Sequence, residues 1–272
     1  MVDVKAYLDR VGYRGAVRPD FETLRALHRA HGLAIPYEGF DIALKRPLTT
    51  DPRAAFEKLV TRKRGGWCYE MNGTFGLVLE AIGFNVTRRA GDGTDPHSHL
   101  YLYVELGGQT YVADVGFADG PIEPYALVEG PFSQGGFDYR IEFLEDGRWR
   151  LHNHKFGAVP GFVGGAPNEE GMAVRCEWLQ SAPESQFVQN TMAFRRQQDG
   201  FISLIGRTLR TINPAGVARE VVPSSDAYVA TLKDRFNLDL PETASLWPAI
   251  CERHEEYMRE AAARRAARES AS

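Results

Sequence analysis

The sequence predicts an α+β fold in about three packed pieces. Apolar residues recur at helical spacing through the first third of the chain. The middle then switches to period-two alternation around two glycine-containing turns, and a shorter mixed segment closes the chain.

The first helix opens at Pro19-Asp20 and places Phe21, Leu24, Leu27, His28 and His31 on one face, with Gly32 as its stop. A second opens at Asp51-Pro52, a capping aspartate followed by proline in the first turn, and its core face is Phe56, Leu59 and Val60. After Gly65-Gly66 a third begins near Cys68. It carries Met71, Phe75, Val78, Leu79 and Ile82 at helical spacing and ends at Gly83. Strands follow. Segments 99–106 and 109–115 flank Gly107-Gly108, a two-residue hairpin turn, and 137–145 and 148–156 flank Asp146-Gly147 in the same way. Further short strands are expected around 173–180, 187–196 and 201–212, with 157–171 a long surface loop. Ser224-Ser225-Asp226 caps a helix bearing Tyr228, Leu232 and Phe236, and a last helix spans about 245–268.

Composition narrows the function. The 272 residues are 43% apolar and 25% charged, with a net charge of −4. That is ordinary for a globular protein and lacks the basic footprint of a nucleic-acid binder. The cysteines Cys68, Cys176 and Cys251 are odd in number and widely spaced, so neither a disulfide framework nor a zinc site is expected. The N-terminus has no signal-peptide core, and no apolar run reaches the roughly 18 residues of a membrane helix. The reading is a cytoplasmic protein with reduced thiols, no bound metal and no membrane or nucleic-acid partner.

Chemistry concentrates in RGGWCYEMN, residues 64–72. Two glycines permit a sharp turn into the third helix. Cys68 then lies at a helix N-terminus, where free N–H groups and the helix dipole favour a thiolate, the form needed for nucleophilic catalysis. The first hairpin supplies a base by register. With a two-residue turn at Gly107-Gly108, Leu106 opposes Gln109; Leu100 then opposes Val115, Leu102 opposes Ala113 and Val104 opposes Tyr111, and those six side chains form one apolar face. His99, Tyr101, Tyr103, Val112 and Asp114 share the other face. His99 and Asp114 are diagonal neighbours, about 7–8 Å apart before their side chains reach toward each other. Asp114 can then fix one imidazole nitrogen and leave the other for Cys68. His97 lies on the same face one pair farther along and is the less favoured candidate. Glu38 and Glu70 are expected to be structural partners of Arg64 or of nearby backbone.

RGGWCYEMN resembles the RGGxCxExN signature of the arylamine N-acetyltransferases. DVGF at 114–117 resembles that family's aspartate motif, and the interval from His99 to Asp114 is similar to the family's. YLDRVGYRG (7–15), LRALHRAHGLAIPYEG (24–39) and SQFVQNTMAFRRQQDG (185–200) are also similar to family segments, so the likeness runs from about residue 5 to 240. The resemblance implies a helical bundle over 1–84, a central antiparallel β-barrel over 85–195 and an α/β lid over 196–272, with a papain-like cysteine triad. It also implies acetyl-CoA as donor, an arylamine or aryl hydrazine acceptor, and ping-pong transfer through an acetyl-cysteine. By position, Cys68 is the nucleophile, His99 the base and Asp114 the orienter. Tyr37 and Phe117 line the acceptor side and Ala118 approaches the donor. Three departures stand out: Ala118 where the family has glycine, Pro36-Tyr37-Glu38-Gly39 where it has a phenylalanine and an asparagine, and a short segment between Gly83 and His99. The alternatives within the same chemistry are a macrolactam-forming amide synthase and a thiol hydrolase.

Overall fold

The protein is described by a computed structural model covering residues 2–93 and 95–269, with side chains as far as Ala263. Helix α1 (Val4–Val11) is capped by Asp3, which accepts from Ala6 N at 2.9 Å. Helix α2 (Phe21–Ala34) starts where Asp20 accepts from Thr23 N at 2.8 Å. It does not stop at Gly32. It runs on to Ala34 and ends before Pro36, which disfavours helical backbone in the residue ahead of it. Gly32 serves packing instead, because a Cβ there would lie 2.6 Å from the Arg196 Cδ.

A two-residue strand β1 (Tyr37–Glu38) and a short helix α3 (Phe40–Ala43) follow. Helix α4 (Pro52–Phe56) is capped by Asp51 and continues as one π-helical turn over Glu57–Thr61. Helix α5 (Cys68–Ile82) begins and ends where the sequence places it, with Gly83 left-handed at φ 108°.

The central sheet contains β2 (Asn85–Asp92), β3 (His99–Leu106), β4 (Gln109–Ala113), β5 (Tyr125–Ala126), β6 (Gly130–Gln134), β7 (Phe137–Phe143), β8 (Trp149–His152) and β9 (Gly161–Gly164). Its eight strands are antiparallel in the order β5-β4-β3-β2-β9-β8-β7-β6. The expected barrel is therefore an open curled sheet. The edge strand β5 contributes only two residues and pairs only with β4, leaving β6 as the other edge. An aromatic core including Tyr101, Tyr125, Phe137, Tyr139, Trp149, Phe162 and Phe201 fills the curl. The opposite face of the β3–β4 hairpin, with Leu102, Val104, Ala113 and Val115, packs with the N-terminal helices.

The first hairpin has the expected register. Leu106 pairs with Gln109 and Leu102 with Ala113, and both Gly107 and Gly108 have positive φ, as a two-residue turn of this twist requires. The second differs by one residue. Phe143 pairs with Trp149, and Leu144 N donates to Arg148 O, so the loop has three residues closed by left-handed Gly147. The segment 157–171 is not wholly loop, since β9 inserts between β2 and β8. The expected strand at 173–180 is helix α6 (Glu169–Ser181). Asn168 caps it, two glutamates occupy its first turn, and Met172, Cys176 and Leu179 are buried at helical spacing. Residues 187–196 divide into a helical turn α7 (Gln186–Gln189) and strand β10 (Met192–Gln197).

Strand β10, β11 (Gly200–Ile205), β12 (Thr208–Asn213) and β13 (Gly216–Val221) form a second antiparallel sheet, and β1 joins it beside β10. Helix α8 (Ser225–Phe236), a 3-10 turn over Pro241–Leu246 and helix α9 (Trp247–Glu269) complete the chain. Among the described residues no helix is long and apolar enough to cross a membrane.

A buried charge cluster ties β1, α3, the π-helical turn and the start of α5 together. Lys58 contacts Asp41 at 2.8 Å and Glu70 at 2.9 Å, and Arg64 contacts Glu38 at 2.7 Å and Asp41 at 3.1 Å. Glu38 thus pairs with Arg64 as expected and also accepts from Phe40 N, whereas the cation on Glu70 is Lys58. Burial pushes Glu70 up to about 7, against the pull of Lys58. Burial disfavours charge on Lys58 too, but three surrounding carboxylates outweigh it and raise its pKa. Lys58→Met removes the central cation and leaves carboxylates buried without it. It should destabilise the fold by about 3–5 kcal/mol in urea unfolding. A change inside about 0.5 kcal/mol would show that the cluster is not a structural tie.

Candidate active site

The site forms where the start of α5 meets the ends of β3 and β4. Trp67 is extended (φ −90°, ψ −176°), so Cys68 is the first residue of the helix. Glu70, three residues beyond Trp67, accepts from Trp67 N at 3.3 Å, as the returning half of a capping box does. The Cys68 Sγ lies 3.7 Å from Ser98 O, and its interaction with the His99 ring favours the charged imidazole.

His99 and Asp114 meet as the register requires. The His99 Nε2 and Asp114 Oδ2 are 2.6 Å apart, and both residues are buried. The second carboxylate oxygen accepts from Asn72 Nδ2 at 2.7 Å and from Gly116 N at 3.0 Å. With Nε2 committed to Asp114, Nδ1 is the ring nitrogen left for the thiol. Burial alone would lower the His99 pKa, but the Asp114 charge and hydrogen bond, with the Cys68 sulfur, carry it up to about 10. Burial likewise opposes charge on Asp114, and His99 and Asn72 hold its pKa below the usual carboxylate value. The imidazole is therefore charged at neutral pH. Its contribution to stability is complete below about 6.5 and is lost as pH rises through about 10.

Other residues fix this geometry, and the sequence reading did not single them out. Asn72 lies one turn after Cys68 on the same face of α5. It also donates to Leu100 O at 2.6 Å and accepts from Val115 N at 2.9 Å, so one side chain joins the helix to both strands. His28 accepts from Asp114 N at 3.0 Å and donates from Nδ1 to Ile122 O at 2.8 Å, which fixes its tautomer. Burial, with the nearby Arg196 charge, lowers its pKa to about 4 and keeps it neutral. Gly116 is a close-approach glycine, since a Cβ there would be 2.8 Å from Cys68 Cα and 2.6 Å from Asn72 Nδ2. Arg196, buried over Gly32, donates to Phe117 O at 3.1 Å and to Gly120 O. His97 has left the strand, with φ 56°. Its Nε2 faces Asn168 at 3.1 Å and its carbonyl accepts from Tyr69 OH at 2.6 Å, away from Asp114.

Cys68 and His99 open onto a cavity of about 1190 Å³. Tyr37, Phe117 and Ala118 all line it, together with Phe162, Phe187 and Phe194. Phe117 packs against His99 with ring centres 5.6 Å apart, and Phe162 does so at 4.8 Å. Tyr37 meets Phe194 edge-on at 5.9 Å. Cys176 is nearby in the same core, but burial, reinforced by the Cys68 charge, pushes its thiol up to about 12. Among the described residues no group of three His, Cys, Asp or Glu side chains is placed to hold a metal.

A family model described as N-acetyltransferase matches residues 20–245. The arylamine N-acetyltransferase of Escherichia coli K12 is 35% identical over 256 residues, covering 87% of this chain and 89% of that protein. That of Mycobacterium tuberculosis is 30% identical over 257 residues, covering 89% and 91%. The chain belongs to the arylamine N-acetyltransferase family. The solved structure of the M. tuberculosis arylamine N-acetyltransferase superposes with TM-score 0.84 at 29% identity, over 91% of this chain and 99% of that one. The Mycobacterium marinum arylamine N-acetyltransferase in complex with CoA does so with TM-score 0.82 at 30% identity, over 92% and 98%.

For a member of this family, the signature RGGWCYEMN has a physical reading. The glycines admit the close turn, Glu70 returns to the helix start and to Lys58, and Asn72 anchors the segment after β4 that bears Asp114. Asp114→Asn keeps the shape but removes the charge that raises the His99 pKa. Titration of His99 followed by NMR should show the wild-type ring charged past pH 8, and the variant ring neutral below its ordinary 6.5 because burial then dominates. Superimposable titrations would break the assignment of that shift to Asp114.

Proposed function

We propose that the protein is an acetyl-CoA-dependent N-acetyltransferase acting on arylamines and aryl hydrazines by a ping-pong route through an acetyl-cysteine. One observation carries this reading: His99 stands between the Cys68 thiol and the buried Asp114 carboxylate on the wall of a large cavity. Family membership and the CoA complex of the M. marinum relative support the donor. The arrangement is a papain-like triad, with Cys68 as nucleophile, His99 as acid and base, and Asp114 as orienter.

In the first half-reaction the Cys68 sulfur attacks the thioester carbonyl of acetyl-CoA. The C–S bond to the donor breaks, and His99 gives its proton to the departing thiolate. In the second, the amine nitrogen attacks the acetyl-cysteine. The neutral His99 takes the amine proton, and the C–S bond to Cys68 breaks as the sulfur leaves as a thiolate. Asp114 keeps Nδ1 directed at sulfur through both halves and stabilises the imidazolium. Tyr37 and Phe117 give aromatic walls on which a flat aryl acceptor stacks, worth about 0.5–1.5 kcal/mol per ring pair, so selectivity among aryl acceptors should be broad. Ala118 takes the position nearest the donor, and the segment from β11 to α9 acts as the lid. The cysteines are free, which fits a reducing cytoplasm.

Incubation with acetyl-CoA and no amine should add one acetyl group to the intact protein at Cys68, and Cys68→Ala should gain none. An arylamine added afterwards should remove the group. A wild-type protein that stays unmodified by acetyl-CoA but accepts an acyl chain from a carrier protein would make it an amide synthase instead.

A further inference from the structure

Tyr37 of β1 lines the same cavity as Cys68. Its backbone bridges to Gly66, two residues ahead of the nucleophile, and Glu38 N donates to Gly66 O at 3.0 Å. Within the sheet it pairs with Phe194 of β10, and the two rings meet edge-on. The phenol ring is thus held on both sides, in the packed cluster that also contains Cys68. Among the described residues nothing hydrogen-bonds to its hydroxyl, whereas the nearby hydroxyls are engaged. Ser98 Oγ donates to Asp95 O at 2.6 Å, and Tyr69 OH donates to His97 O at 2.6 Å. Burial, reinforced by the Cys68 charge, pushes the Tyr37 phenol well above its ordinary value, so it keeps its proton and stays a donor. The family's stretch has phenylalanine here, so the hydroxyl is an addition in this chain.

We propose that the Tyr37 hydroxyl donates a hydrogen bond to the acyl oxygen of the tetrahedral intermediate on Cys68, which makes it a further catalytic residue in both half-reactions. When the sulfur, or later the amine, adds to the carbonyl carbon, the C=O π pair moves onto oxygen. The phenol meets the charge that grows there and does not transfer its proton. On collapse the pair returns, and the C–S bond breaks to the donor sulfur in the first half-reaction and to Cys68 in the second. A donor fixed in advance acts more strongly on that oxyanion than on the ground-state carbonyl. The N-terminus of α5 already favours negative charge at this end, so the phenol adds to stabilisation that is present without it. The proposal rests on the reading that Cys68 is acylated.

The test is Tyr37→Phe, which removes one oxygen that has no partner and should leave the unfolding midpoint in urea unchanged. In single-turnover experiments without amine, acetylation of Cys68 by acetyl-CoA should slow by about tenfold. Release of the acetyl group to aniline, which has no other polar group, should slow by a similar factor, in kcat and not in KM. Alkylation by iodoacetamide, which passes through no oxyanion, should stay within about twofold of wild type. Unchanged acetylation, slowing confined to amines with a polar substituent, or an equal slowing of alkylation would overturn the proposal. Butyraldehyde gives a readout that needs no acetyl donor. The Cys68 sulfur adds to its carbonyl carbon, the thiol proton moves to the oxygen, and the adduct protects Cys68 from iodoacetamide. About tenfold more aldehyde should be needed for that protection in Tyr37→Phe. Should acetyl-CoA leave wild type unmodified, the donor reading fails on its own and the aldehyde decides. Weaker protection of Tyr37→Phe would then uphold the hydroxyl's role, and equal protection of the two proteins would overturn it.

Discussion

The structure depends on a close approach of two backbones, the first turn of α5 and the segment that leaves β4 at Asp114. Gly116 allows it, because any side chain there would strike Cys68 or Asn72. Asn72 then secures it with hydrogen bonds to Leu100, Asp114 and Val115. A nucleophile on a helix and a carboxylate on a sheet come to serve one imidazole through this contact. Each bond is buried, so losing one leaves an unsatisfied polar group at a penalty of about 1–3 kcal/mol.

Support spreads outward from that contact in layers. His28 holds the backbone of Asp114 from α2, and Arg196 holds the carbonyls of Phe117 and Gly120 from β10. Arg196 needs Gly32 beneath it, so a glycine that reads as a helix stop is a seat for a buried guanidinium. On the other side of Cys68, the Lys58–Glu70 pair and the Arg64–Glu38 pair anchor the Gly65-Gly66 turn to β1, α3 and the π-helical turn. Burial makes these charges costly alone, and their mutual pairing offsets that cost.

Much of this was legible in the sequence because local rules decide it. Two adjacent glycines set the β3–β4 register, and the register set the His99–Asp114 pairing. Glycine and capping residues set both ends of α5. Features decided by distant contacts were not legible. The helical state of Glu169–Ser181 follows from burying Met172, Cys176 and Leu179, in a segment whose local pattern also suits a strand. Strand β9 exists only because β2 and β8 leave a place between them. Sheet closure depends on whether β5 and β6 can meet, which no local pattern records. Asn72 stood inside the quoted signature at one helical turn from Cys68, a spacing that could have flagged it. His28 and Arg196 gave no signal, since their partners lie far away in the chain.

His99, and not its neighbour His97, completes the reacting group at Cys68. The second-order rate of Cys68 alkylation by iodoacetamide at neutral pH, in His99→Gln and His97→Gln, tests it most directly. Loss of the imidazolium should slow alkylation in His99→Gln by at least about tenfold, whereas His97→Gln should stay within about twofold of wild type. A His97→Gln protein that loses its reactivity while His99→Gln keeps it would contradict the account.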